Sequence, residues 1–201
     1  GAITPTFFVF GGTLGVITKI NLKVEYMPKL RRIWMFQFDS FPEIIDPIKR
    51  IQHKEIGWEC FVINNFNAAA LLCPNWHIPD CLPAQACDAS RFEEIRHSLP
   101  PWILVVCLNS GPRMPEEKLA YEEESLREIA AQTRIVRYEQ GDLEQLLLEA
   151  MVKPWGMMKK FCYQGAVHDV SFKTTLKRVP EFQRLLLEVL NKYSYPLQDV
   201  G

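Results

Sequence analysis

Proline and glycine divide the chain into short segments that alternate between the period of a strand and the period of a helix. The clearest strand pattern is in residues 19–26, where polar and apolar side chains alternate strictly and Pro28 follows. Such alternation is typical of a strand with one face in solvent. Apolar or β-branched composition predicts further strands at 31–38, 58–65, 102–109, 133–139 and 163–173. Amphipathic spacing and capping residues predict helices at about 40–53, 67–73, 90–98, 115–132, 142–153 and 178–193.

The order of these elements limits the fold more than any one of them does. It gives strand-helix-strand, a proline-rich insertion over 74–88, a second strand-helix-strand, and then further helices and a strand. This order predicts a split β-α-β arrangement. We therefore expect an α+β fold with a ferredoxin-like antiparallel sheet, with helices on one face and the other face free for a ligand or partner.

Two helical segments also carry predictions about burial. The apolar stripe of residues 178–193 is expected to be core because its members recur at helical spacing; they are Phe182, Leu186, Val189, Leu190 and Tyr193. The acidic residues of segment 115–132 are expected to form a solvated face; they are Glu116, Glu117, Glu122, Glu123 and Glu124.

Composition excludes several classes of protein. Hydrophobic residues make up 48% of the 201 residues, charged residues 23%, and the net charge is -1, which is ordinary for a globular chain and gives no general attraction to nucleic acid. The longest apolar run, Trp102–Leu108, is far shorter than the roughly 20 residues of a membrane span. Because no C-x-x-C pair and no secretory signal pattern are present, we expect a cytoplasmic protein with reduced, buried thiols.

Common enzyme fingerprints are absent, including the dinucleotide, P-loop, zinc-protease and serine-hydrolase motifs. Cys73, His77, Cys81 and Cys87 lie close together in the sequence and are residue types that bind zinc. Their gaps lack the paired C-x(2–4)-C spacing that structural zinc sites usually show. We predict no metal site, although metal binding by these four residues stays open.

The most distinctive motif is the segment 11–18, Gly-Gly-Thr-Leu-Gly-Val-Ile-Thr. Small residues before a strand either form a tight turn or let a ligand approach the backbone closely. Together with the alternating strand to Tyr26 and the closing Pro28, the motif resembles the end of the flavin domain in FAD-linked oxidases of the vanillyl-alcohol oxidase and p-cresol methylhydroxylase superfamily. Glycolate oxidase subunits and D-lactate dehydrogenases belong to this superfamily.

The resemblance is close over residues 12–28 and is one of architecture over 29–201. It implies that residues 1–28 are the C-terminal remnant of an FAD-binding domain and that residues 29–201 form the substrate, or cap, domain. The positions that would face FAD are Gly12, Thr13, Gly15, Val16 and Ile17. The family's glycine-rich pyrophosphate loop is not in the sequence, so we expect a fragment whose partner is the FAD domain of the same chain. We expect the 201 residues alone not to bind FAD stably.

The implied activity is that of an FAD-dependent oxidoreductase acting on a small hydroxy acid or a phenolic or alcohol substrate by hydride transfer to the flavin, with oxygen or an electron carrier as acceptor. His168, on the predicted strand 163–173, is either a catalytic acid or base or a core residue. Lys173 and Arg178 either bind a substrate carboxylate or form a solvated basic end. The alternative function is a non-catalytic α+β module that binds a ligand or partner, and homo-oligomer formation stays open.

Overall fold

The computed structural model describes residues 19, 21, 27–73, 89–152 and 173–193. Most of the predicted strands 19–26 and 163–173, and the insertion 74–88, lie outside the described residues. Within them, the strands are β1 (Leu30–Phe38), β2 (Glu59–Asn64), β3 (Trp102–Ser110) and β4 (Val136–Tyr138). The α-helices are α1 (Ile45–His53), α2 (Asn65–Leu72), α3 (Ala89–Ser98), α4 (Pro115–Thr133), α5 (Gly141–Val152) and α6 (Val179–Lys192). Short 3-10 helices precede α1 and α6, at Phe41–Ile44 and Leu176–Arg178.

The four described strands form one antiparallel sheet in the order β2-β3-β1-β4. The central pair, β1 and β3, is in register along its whole length, from Leu30 opposite Ser110 to Phe38 opposite Trp102. The connections β1-α1-β2 and β3-α4-β4 each join two parallel strands that have a third strand between them. This is the split β-α-β topology, and it confirms the predicted α+β class with an antiparallel sheet.

Helices cover both faces of this sheet. Successive side chains of a strand point to opposite faces, so Trp34, Phe36 and Phe38 of β1 pack with α1 and α4. Ile33 and Met35 of the same strand pack with α2, α3 and α5. The two crossover helices, α1 and α4, cover one face of the sheet, as predicted. Helices α2, α3 and α5 cover the opposite face, so the prediction that this face is free is wrong.

The physical reason lies in β3, whose nine residues are all buried. Its apolar side chains alternate between the two faces, with Ile103 and Val105 in one cluster and Leu104 and Val106 in the other. Burying one such side chain stabilises the fold by about 1.5–3 kcal/mol. If the second face were exposed to solvent, the stabilisation from several of these side chains would be lost. Helices α2, α3 and α5 cover this face and so preserve it.

Helix α2 begins earlier than its sequence pattern predicts. Its N-cap is Asn64, whose side-chain oxygen accepts a hydrogen bond from the backbone N–H of Asn67 at 2.9 Å. Asn67, the predicted cap, is instead a buried residue of the first turn. Ala68, Ala69 and Ala70 follow and are fully buried, because small side chains let the helix approach the sheet closely.

Helix α6 differs from its prediction in burial. None of its residues is buried, and its predicted core stripe includes Leu186 at 39% exposed, Val189 at 52% and, just after the helix, Tyr193 at 61%. The expectation that this stripe is core is therefore wrong. The amphipathic spacing correctly predicted a helix and did not determine what packs against it.

None of the helices in the described part of the chain combines the length and the apolarity that a membrane crossing requires.

Gly57 lies in the connection between α1 and β2. It offers a test of how its backbone conformation and its close packing against β3 affect stability. Its φ is +79°, and an added Cβ would lie 3.0 Å from Val106 Cγ1 and 3.1 Å from the Cys107 carbonyl oxygen. We expect Gly57→Ala to lower the free energy of unfolding by about 1–3 kcal/mol, because it combines left-handed backbone strain with a tight contact. Urea denaturation measures this loss.

The matched control is Gly141→Ala, since an added Cβ at Gly141 meets no atom within 4 Å. This control should keep or slightly raise the stability of the protein. Equal losses in the two variants would contradict the account of Gly57.

Candidate functional site

The predicted site residues fall into two groups. Gly12, Thr13, Gly15, Val16 and Ile17, predicted to face FAD, and the predicted catalytic His168 lie outside the described residues. Lys173 and Arg178, predicted to bind substrate, are both described and exposed. The Nε of Arg178 lies 3.4 Å from a Glu181 carboxylate oxygen, and its guanidinium lies 5.0 Å from the Phe182 ring centroid. Arg178 thus contacts the first turn of the adjoining helix, α6.

Among the three described cysteines, Cys73 differs from the prediction of reduced thiols. Cys73 is disulfide-bonded, so its sulfur is not available as a metal ligand with His77, Cys81 and Cys87, which lie outside the described residues. Cys60 and Cys107 are free, and burial raises the pKa of each thiol to about 11. They therefore stay protonated near neutral pH. In the described part of the chain, no three His, Cys, Asp or Glu residues come together as a metal site would require.

A cavity lined by four arginines lies at the edge of the sheet. Its volume is about 280 Å³. We call it the arginine pocket. Among the described residues, its polar and aromatic lining is Arg31, Arg32 and Trp34 of β1, Glu123 and Arg127 of α4, Arg137 of β4 and Glu144 of α5. Lys173 and Arg178 do not line it.

The length of β4 creates this pocket. Within the described residues, β4 pairs with Met35, Phe36 and Gln37 of β1, although β1 begins at Leu30. The earlier residues of β1 therefore extend past the end of β4. Because α4 packs on one face of the sheet and α5 on the other, the notch beside Arg31–Trp34 is enclosed by both helices.

Trp34 and Glu123 position three arginines of the pocket. The guanidinium of Arg137 lies 4.1 Å from the Trp34 ring centroid and that of Arg127 lies 5.5 Å from it, both within cation–π distance. Arg32 donates a hydrogen bond to Glu123 Oε1 at 2.7 Å, and the Trp34 indole N–H donates to the same oxygen at 3.4 Å. The floor of the pocket is therefore a linked set of charged and aromatic groups.

Two neighbouring glutamates of α4 have opposite electrostatic environments. Burial alone would raise the pKa of Glu123, but hydrogen bonds from Arg32 and Trp34 and the charges of Arg32 and Arg127 outweigh it and leave the pKa below its usual value. Burial raises the pKa of Glu122, and the nearby Lys118 offsets this only in part. The Oε2 atom of Glu122 is buried without a hydrogen-bond partner.

These two residues correct the predicted solvated acidic face. Glu116, Glu117 and Glu124 are exposed as expected, whereas Glu122 and Glu123 are 7% and 8% exposed. The face turns inward here because α4 packs along β3 and β1, which brings both carboxylates against the sheet.

Arg31 is the least satisfied arginine of the pocket. Arg32, Arg127 and Arg137 each lie within 3.3 Å of a carboxylate, on Glu123, Glu124 and Glu139 respectively. Arg31 has no ion pair among the described residues, and its Nε atom is buried without a hydrogen-bond partner.

Sequence reasoning did not find this pocket. Its residues come from β1, α4, β4 and α5, and only the folded topology brings them together. The one local signal was the pair Arg31-Arg32 at the start of an otherwise apolar strand. Such a pair places one charge on each face of the sheet, which is unusual where both faces are covered.

Comparison with known proteins does not identify a family. No family model matches the chain, and no curated protein matches it significantly. The chemistry of the site therefore rests on its own residues, which supply guanidinium donors suited to oxygen anions.

The paired glutamates give a test of these electrostatics. A depressed folded-state pKa stabilises the protein above the unfolded-state value of about 4.3, and the contribution is lost as pH falls through the folded-state pKa. Glu123→Gln should therefore lower the free energy of unfolding at neutral pH by about 1–3 kcal/mol, the value of hydrogen bonds to a charged group. This loss should shrink in acid.

Glu122→Gln is the matched variant with the opposite sign. A raised folded-state pKa means that ionisation of Glu122 costs stability at neutral pH, so the amide should raise the free energy of unfolding there. The gain should vanish below about pH 4, where the carboxyl is protonated in both states. Urea denaturation at neutral and acidic pH measures both effects, and a shift of the same sign in both variants would contradict the assignment.

Proposed function

We propose that the chain contains the substrate, or cap, domain of an FAD-dependent oxidoreductase that oxidises a small hydroxy acid or a phenolic or alcohol substrate. The observation that supports this proposal is one of connectivity. The glycine-rich segment 11–18 and the alternating residues after it are followed in the sequence by β1, one of the two central strands of an antiparallel split β-α-β sheet. An antiparallel sheet in this position is what the resemblance to the FAD-linked oxidases implies.

In this proposal, bound FAD supplies the chemistry by accepting a hydride from the substrate. Gly12, Thr13, Gly15, Val16 and Ile17 would contact FAD, His168 would exchange a proton with the substrate, and Lys173 and Arg178 would bind a substrate carboxylate. For Arg178 this requires exchanging Glu181, 3.4 Å away, for the substrate. We further propose a cytoplasmic location, against which the disulfide of Cys73 weighs, since disulfides are rare in that compartment.

The test is the flavin content of the protein expressed from the complete reading frame that encodes these residues. We expect one FAD per chain by visible absorbance, bleached anaerobically by a 2-hydroxy acid or a phenol. We expect the 201 residues alone to lose FAD on desalting. A complete protein without flavin would contradict the proposal, and a stoichiometric FAD complex of the 201 residues would contradict the division of the cofactor site.

A variant pair links the test to the glycine-rich segment. Gly15→Val should reduce the flavin content of the complete protein, because a side chain would block close approach of FAD to the backbone. Gly111→Ala is the control, since an added Cβ there meets no atom within 4 Å. Circular dichroism checks that both variants fold, and equal flavin content would contradict the assignment of Gly15.

The second candidate is a non-catalytic module that binds a ligand, and the arginine pocket is the observation that favours it. The pocket's lining residues in the described part of the chain come from β1, α4, β4 and α5, and none of them belongs to the segment 1–28 assigned to the FAD-binding domain. A protein that lacks FAD but keeps a ligand in this pocket would favour the module over the enzyme.

A further inference from the structure

We propose that the arginine pocket is a binding site for an oxyanion group, a carboxylate or a phosphate, and that Arg31 is its principal donor. This inference does not depend on the proposed flavin function, because it is argued from the arginine pocket alone, and the two described residues assigned to substrate binding, Lys173 and Arg178, do not line it.

The first step of the argument is the unsatisfied donor. The Nε–H of Arg31 is buried and has no acceptor, and a guanidinium remains protonated at all ordinary pH values. The large majority of buried side-chain polar atoms in proteins have a hydrogen-bond partner, and leaving one unpaired costs about 1–3 kcal/mol, or more when the group is charged. An anion in the pocket would supply both the missing acceptor and the missing counter-charge.

The second step is the positioning of the neighbouring charges. Arg32 is fixed by Glu123 at 2.7 Å, and Arg137 lies over the Trp34 ring at 4.1 Å. These contacts hold two further guanidiniums at the pocket before any ligand arrives. A planar guanidinium presents parallel N–H donors that match two oxygens of one carboxylate or phosphate, so the arrangement suits an oxyanion better than a halide.

The third step is the size and the remaining lining. A volume of about 280 Å³ lies just below the roughly 300–1,000 Å³ of ligand pockets, which favours a small molecule over a polymer. Leu148 adds an apolar surface, and Glu144 adds a carboxylate for which no ion pair is present among the described residues. Glu144 would repel an anion, so removing its charge should strengthen anion binding.

The experiment is isothermal titration of the 201-residue chain with inorganic phosphate and, separately, with acetate, at constant ionic strength set by sodium chloride. We expect saturable binding of at least one of them. Phosphate alone would assign a phosphoryl ligand, acetate alone a carboxylate ligand, and both together a general oxyanion site. Saturable binding of neither would overturn the proposal.

Variants identify the pocket as the place of binding. Arg31→Gln should weaken binding about tenfold or more, as loss of a charged hydrogen bond does. Arg31→Lys keeps the positive charge and should weaken binding less. Residual binding by Arg31→Lys also shows that a substitution at this position leaves the protein folded. Glu144→Gln should strengthen binding. The control is Arg91→Gln, an exposed arginine of α3 that pairs with Glu94 outside the pocket. Equal weakening by Arg31→Gln and Arg91→Gln would overturn the assignment to this site.

Discussion

The pairing of β1 with β3 is the constraint on which the rest of the structure depends. It runs in register over the full length of both strands, and alternation of side chains then supplies apolar groups to both faces. Each helical layer packs on residues of these same two strands. The other edge of β1 pairs with β4, and the arginine pocket lies beside the end of that pairing.

Much of the fold was predictable because local patterns matched the final burial. The continuous apolar run Trp102–Leu108 predicted β3, and Pro115 with the following amphipathic spacing predicted α4. The same run also indicates how the strand is buried. A strand apolar at every position, rather than at alternate positions, is typical of burial on both faces, and it could have predicted the second helical layer.

The remaining errors concern interactions between distant residues. Amphipathic spacing in α6 and in α4 predicted helices correctly, but which face packs against the sheet depends on neighbours that are far away in sequence. Glu123 is buried because Arg32, 91 residues earlier, donates to it. No local pattern predicts that pair, and the same is true of the convergence of Arg31, Arg127 and Arg137 on one cavity.

The short β4 has a consequence for association between molecules. A sheet edge that extends beyond its neighbour is a template on which strands of other molecules can pair, and charged side chains are a common defence. Among the described residues, the stretch of β1 that extends beyond β4 carries Arg31 and Arg32, and β4 itself contributes Arg137. A strand of another molecule would have to desolvate these cations in order to pair here. The residues that make the notch suitable for an anion therefore also disfavour aggregation at this edge.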